Sequence, residues 1–267
     1  MNQKHRASCT GGGRRARSLA ALALVSLIAG CSAVVEGAAR PTADLIARSL
    51  TGSTIRQVLL ADDALSRILN RSFRIDPRFP PRFGGPETLQ DDGWDAPGDC
   101  LGVAAMLQRV VYQSGQVRHV AVETWRHAPN SVEVTSVREG VVSLTSAAEA
   151  RALFAKFAQQ WQHCDGMTMP LSGTVFRLQA MANNVEVADS LVAATVSMGF
   201  ASRTLDSAAI PSGRALGVRG NCLVEVEVAF FGNPQHHPQP TEPVAADPRS
   251  SAVDIARAIL ENVGAQS

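Results

Sequence analysis

Between Arg214 and Phe231 the chain contains a segment that alternates with a period of two. Val224, Val226, Val228 and Phe230 fall on one side, and Glu225 and Glu227 on the other. Successive side chains of a strand point to opposite faces, so this pattern fixes an extended segment with one apolar face that another element must cover. Residues 117–127 and 132–144 also have strand character and are separated by Pro129-Asn130. Residues 167–180 and 185–198 repeat the arrangement around Asn183-Asn184. Turn residues between extended runs predict hairpins, and strands joined by short turns are antiparallel.

Helical spacing flanks these strands. Residues 42–50 and 54–69 read as helices, the second through Val58, Leu59, Leu65, Ile68 and Leu69. Residues 76–99 are rich in Pro, Gly and Asp and read as a loop, with the length expected of a lid. Asp99 is placed to cap a helix over about residues 100–113, with Leu101, Ala104, Leu107 and Val111 as its apolar stripe. Ser146 and Glu149 predict a capping box at the start of a helix that runs to about His163. Its stripe is Ala150, Leu153, Phe154, Phe157 and Trp161, and Cys164 continues it toward the core. After a Pro-rich loop over 233–249, residues 251–263 close the chain as an amphipathic helix. This order predicts a single α+β domain, a twisted antiparallel sheet packed with helices.

The first thirty residues read as a targeting segment. Lys4, Arg6, Arg14, Arg15 and Arg17 precede a short apolar run from Leu19 to Ile28, too short to span a membrane. Leu27-Ile28-Ala29-Gly30-Cys31 resembles a bacterial lipobox, in which the thiol of the Cys takes a diacylglycerol. The expected organisation is a lipoprotein signal peptide over 1–30, a tether over 31–41 that begins at lipidated Cys31, and a domain over 42–267. The tether reaches at most about 35 Å. The expected location is therefore the outer face of the cytoplasmic membrane, held there by lipid.

Five of the 25 Lys and Arg, and none of the 24 Asp and Glu, fall within those thirty residues, so the remainder is mildly acidic. Such a balance, with no basic run in the sequence, argues against nucleic acid as a partner and against binding to anionic lipid. No nucleophile elbow, phosphate-binding loop, paired-histidine zinc motif or C-x-x-C occurs. His236-His237 has no third ligand nearby in sequence. No enzyme activity, cofactor or metal is expected. At this stage Cys164 could be a nucleophile, a metal ligand or half of a disulfide, and only the extracellular setting favours the last.

Three stretches carry a resemblance: GDCLGV at 98–103, the run from Val142 to Cys164 that ends in W-x-x-C, and GRALGVRGNCLVEVEV at 213–228. Over about residues 54–264 they resemble the PknH-like extracellular sensor domain family. Members form the outer part of a mycobacterial receptor kinase and also occur as lipoproteins. The resemblance implies an antiparallel sheet with packed helices and an open cleft for an unidentified ligand. It also implies a Cys100–Cys164 disulfide. The family's second pair of cysteines falls at Ser212 and at about residues 229–231, where this chain has none. Cys222 is an addition, expected as a buried free thiol on the valine face. Glu225, matching an acidic position of the family strand, is a ligand-binding candidate, together with Tyr112 and Trp125. The implied function is a non-enzymatic sensor or ligand-binding lipoprotein that takes a small molecule or envelope component and passes its state to an envelope protein. The alternative is an envelope interaction or scaffold protein without a small ligand.

Overall fold

In the computed structural model, residues 50–94, 96, 99–127, 134–171, 178–200, 210–230 and 248–267 are described. The expected signal peptide and tether, most of the first helix, Pro129-Asn130 and His236-His237 lie outside them.

The alternating segment becomes two strands joined at Gly220-Asn221, β8 (Ile210–Arg219) and β9 (Cys222–Phe230). They sit inside one antiparallel sheet that also contains β1 (Phe73–Ile75), β2 (Arg82–Gly84), β3 (Val117–His127), β4 (Val134–Leu144), β5 (Thr168–Leu171), β6 (Leu178–Ala188) and β7 (Leu191–Phe200). The order is β1-β3-β4-β9-β8-β7-β6-β5, with β2 also paired to β3. The centre of the sheet is covered on both faces. On one face Val224, Val226, Val228 and Cys222 pack against α4 (Pro248–Gln266), α1 (Asp62–Leu69) and a 3-10 helix over Gly52–Val58. On the other, Leu223, Leu216, Val120 and Val142 pack beneath α3 (Ala147–His163). The molecule thus has three layers and two cores, within one compact unit over 43–267. The face that carries Glu225 is buried as well as the valine face, which forces Glu225 to find a partner indoors.

α3 forms where its sequence places it. Ser146 Oγ accepts the Glu149 N–H at 3.2 Å, and the Glu149 carboxylate turns to the Thr145 hydroxyl and the Gln116 N–H. Ala150, Leu153, Phe154, Phe157 and Trp161 are buried as a stripe.

Four expectations change. The helix expected over 54–69 breaks at Leu59, which is extended at ψ 154°. Val58, Leu59 and Leu60 are all buried, and three consecutive residues cannot share one helical stripe. The loop over 76–99 contains β2 and a 3-10 turn at Pro86–Thr88, and β1 and β2 both pair along the outer edge of β3. Asn183-Asn184 does not turn the chain. Asn184 takes a left-handed conformation, φ 56°, at a register shift inside β6, and the hairpin turns at Asp189-Ser190. An Asn that tolerates positive φ serves a bulge as well as a turn. Finally, the helix over 100–113 shrinks to α2 (Leu101–Ala104), for a reason that lies in the site below.

Cys100 and Cys164 are bonded, with Cα atoms 5.8 Å apart and a sequence separation of 64. The bond ties the start of α2 to the end of α3 and encloses β3 and β4. Ser212 lies opposite Ala229 across β8 and β9, so the two positions at which the resemblance implies a second pair of cysteines are also brought together. Constraining a loop of this length restricts the unfolded chain by about 4 kcal/mol in the chain-entropy account. Reduction, or Cys164→Ala, is therefore expected to lower the melting temperature by more than 10 °C, whereas Cys222→Ala costs a small packing loss. Equal melts for the reduced and oxidised protein would contradict this.

Candidate functional site

Glu225, on β9, points into the core beneath α3. Its Oε1 accepts the Tyr112 hydroxyl at 2.7 Å and the Leu107 N–H at 3.1 Å. Its Oε2 accepts Arg214 Nη2 at 2.7 Å, with the two side chains 5% and 0% exposed. Arg214 comes from the adjacent strand β8. It also donates to the carbonyls of Val103 at 3.0 Å and Gly102 at 3.4 Å. Its guanidinium lies 5.5 Å from the Trp161 ring, and Phe157 meets the Tyr112 ring edge-on. Burial pushes the Glu225 carboxyl up, and Arg214, the Tyr112 hydroxyl and the Leu107 N–H oppose it. Burial also pushes the Tyr112 phenol well above its ordinary range, reinforced by the neighbouring Glu225.

This cluster explains the missing helix. The carbonyls of Gly102 and Val103 and the N–H of Leu107, which a continuous helix would place in its own ladder, serve the ion pair instead. Leu107 takes φ 58°, and its side chain lies directly on the sheet over Gly140. A Cβ at Gly140 would stand 2.7 Å from Leu107 Cδ1, so any larger residue there would force the Leu107 side chain to shift.

Of the three candidate residues, Tyr112 and Glu225 are therefore joined, and Arg214 is the partner that the sequence did not mark. A cavity of about 10 Å³ beside Glu225, lined also by Trp161 and Leu216, has room for about one water. Trp125 stands apart. It lies on β3 in the other core, opposite Ile75 and Val137, and its Nε1 has no partner among the described residues.

Among the described residues, a space with room for an organic molecule lies elsewhere. A groove of about 550 Å³ runs between α3 and the β6–β7 turn. Phe154, Ala158 and Val218 form an apolar floor, and Arg151, Gln159, Gln162 and Asp189 supply polar groups around it. Ala155, on the exposed side of α3, lines the same space. Helix α3 thus has two roles, its buried stripe closing over the ion pair and its flank walling the groove. Sequence periodicity revealed the stripe. The groove could not be read, because its walls are brought together by tertiary contact between segments far apart in sequence.

On the opposite face a second carboxyl is enclosed. Glu139 of β4 is fully buried, and its Oε2 accepts the Leu60 N–H at 3.0 Å, while Oε1 has no partner among the described residues. Burial, with Glu123 directly opposite on β3, pushes it up to about 8. Glu123 is itself raised by burial and held down in part by Arg56. Cys222 is a buried free thiol on the valine face, pushed up to about 12 by burial. Among the described residues no group of His, Cys, Asp and Glu is arranged to hold a metal ion, and no helix is long and apolar enough to cross a membrane.

A model of the PknH-like extracellular domain matches residues 50–262, and the chain belongs to that family. The crystal structure of the extracellular domain of PknH from Mycobacterium tuberculosis shares the fold, with a TM-score of 0.64 at 17% identity over 82% of this chain and 99% of that one. An X-ray structure of a putative uncharacterized protein from Mycobacterium smegmatis overlaps at a TM-score of 0.41 and 14% identity, over 79% of this chain and 96% of that one. No curated protein matches at a significant level.

The enclosed Glu139 gives stability a pH dependence of known sign. Its folded value of about 8 lies above the ordinary carboxyl value of 4.5. Between those values the unfolded chain releases a proton that the folded chain keeps, so stability falls as pH rises through this window and levels off above it. Glu139→Gln is expected to flatten this slope and to stabilise the protein at pH 8, by an amount on the order of a few kcal/mol. Melts from pH 5 to pH 9 check it. Parallel curves for variant and wild type would contradict it.

Proposed function

We propose that this member of the family is an envelope lipoprotein, anchored through Cys31 to the outer face of the cytoplasmic membrane. In this reading its domain binds a small amphipathic molecule in the groove beside α3 and performs no chemistry of its own. The groove carries the reading. Its volume of about 550 Å³ suits a small ligand, and an apolar floor with a few polar groups at its margin is the composition that small-molecule sites share. The remaining chemistry supports binding rather than turnover. Glu225 and Tyr112 are occupied with Arg214 and with each other, and the Cys222 thiol is enclosed. Under this proposal the ion pair acts indirectly, by fixing the α2 segment under α3 and so holding one wall of the groove in place.

Ala155→Trp fills the groove from an exposed position and leaves the core untouched. Native mass spectrometry of protein extracted from its own membranes is expected to show a small-molecule adduct on the wild type. The adduct should be lost from Ala155→Trp while the melting temperature is unchanged. An equal adduct on both proteins moves the ligand elsewhere. No adduct on either favours an interaction protein without a small ligand.

A further inference from the structure

Residues 77–83, Pro-Arg-Phe-Pro-Pro-Arg-Phe, connect β1 to β2 along the outer edge of the sheet, and every one of them is exposed. Phe79 is 49% and Phe83 38% exposed. Proline and arginine at an edge have an ordinary explanation, since they discourage pairing with another strand. Two exposed phenylalanines do not fit it, because they would invite association. Each ring is instead framed by cations. Arg78 and Arg138 lie 5.7 and 5.8 Å from the Phe79 ring, and Arg56 lies 5.9 Å from the Phe83 ring. Arg74 stands directly opposite Arg126 across β1 and β3, and Arg126 Nε has no partner among the described residues. Like charges facing one another across strands destabilise a sheet unless an anion offsets them. The acids nearby neutralise part of the edge, with Glu123 acting on Arg56 and Asp76 on Arg78 and Arg126. Asp76 is buried and bonded through both oxygens to Arg78, and Glu87, at the far end, accepts the Gly85 N–H. An acidic total charge therefore conceals a cationic, aromatic edge.

We propose that this edge docks on an anionic phospholipid surface, with Phe79 and Phe83 at the headgroup level and Arg74, Arg78, Arg82 and Arg56 on lipid phosphates. A guanidinium pairs bidentately with phosphate, and an aromatic ring flanked by arginines suits the boundary between headgroups and acyl chains. The proline content keeps the rings presented at little entropic cost. The choice of a membrane over a free anion rests on the anchored reading above and on where the N-terminal segment runs. Gly52 N–H donates to His119 Nδ1 at 3.3 Å, and the His119 ring stacks on Phe83 at 6.2 Å. The first described residue, Leu50, is tied to Asn221 at the β8–β9 turn, and the segment then passes beside this edge at Gly52. Docking there would leave the groove beside α3 on another part of the surface.

The test uses residues 43–267, the compact unit that holds both cores, without any lipid attached. It is expected to sediment with vesicles of phosphatidylglycerol and phosphatidylcholine, not with phosphatidylcholine alone, and to be released by salt. Arg74→Glu and Arg82→Glu should each weaken the partition by about fivefold or more. Phe79→Ser and Phe83→Ser should also weaken it without changing the melting temperature. Three results would overturn the proposal: no wild-type binding to the anionic vesicles, binding that these variants leave unchanged, or Phe variants that only dissolve a dimer. Competition by inorganic phosphate with the Phe variants unaffected would also overturn it, by marking a site for a free anion. The anchored reading fails by a different measurement, a Cys31→Ser protein that still partitions into detergent at unchanged mass.

Discussion

A carboxylate and a guanidinium enclosed between the sheet and α3 set the conformation of everything around them. Both side chains are almost wholly buried, so their hydrogen bonds must come largely from the protein. Tyr112, Leu107, Val103 and Gly102 supply most of them, while Arg214 Nε has no partner among the described residues. The requirement unwinds a segment with helical periodicity, draws Leu107 onto Gly140 and places Trp161 over the guanidinium. The Cys100–Cys164 bond then closes the same region covalently. One interaction thus links the centre of the sheet, a short helix, a long helix and a disulfide.

What was legible in the sequence follows from this. β3, β4, β9 and α3 were readable because their periodicity agrees with the burial they meet. Cys164 could be placed on the core side of α3 from its spacing to Trp161 alone. The stretch after Cys100 was misread because helical spacing of Leu101, Ala104, Leu107 and Val111 is a local signal, and a partner on β8 overrode it. Asn183-Asn184 was misread for a related reason, because the same positive-φ tolerance serves a turn and a bulge. Glu225 and Tyr112 stood out as unusual residues, but Arg214, the ionic partner of Glu225, sits in a stretch where an arginine reads as ordinary surface.

The division of the molecule into two cores also separates its chemistry. The ion pair lies in one core, with the groove alongside it on the flank of α3. The enclosed Glu139 and Trp125 lie in the other, beneath the elements that follow the N-terminal segment. The outer edge of β3 belongs to neither and carries the exposed phenylalanines. A change of pH acting on Glu139 would therefore be felt first by the 3-10 helix and α1, through Leu60, and not by the groove.

The central claim is that the buried pair organises the site, and a double-mutant cycle of Arg214→Met and Glu225→Leu, followed by urea denaturation, measures it most directly. Arg214→Met alone leaves an uncompensated buried carboxyl and is expected to cost roughly 3–5 kcal/mol. The double variant is expected to cost less than that single one, because both charges are gone. Losses that simply add, or a single variant within about 0.5 kcal/mol of wild type, would contradict the claim.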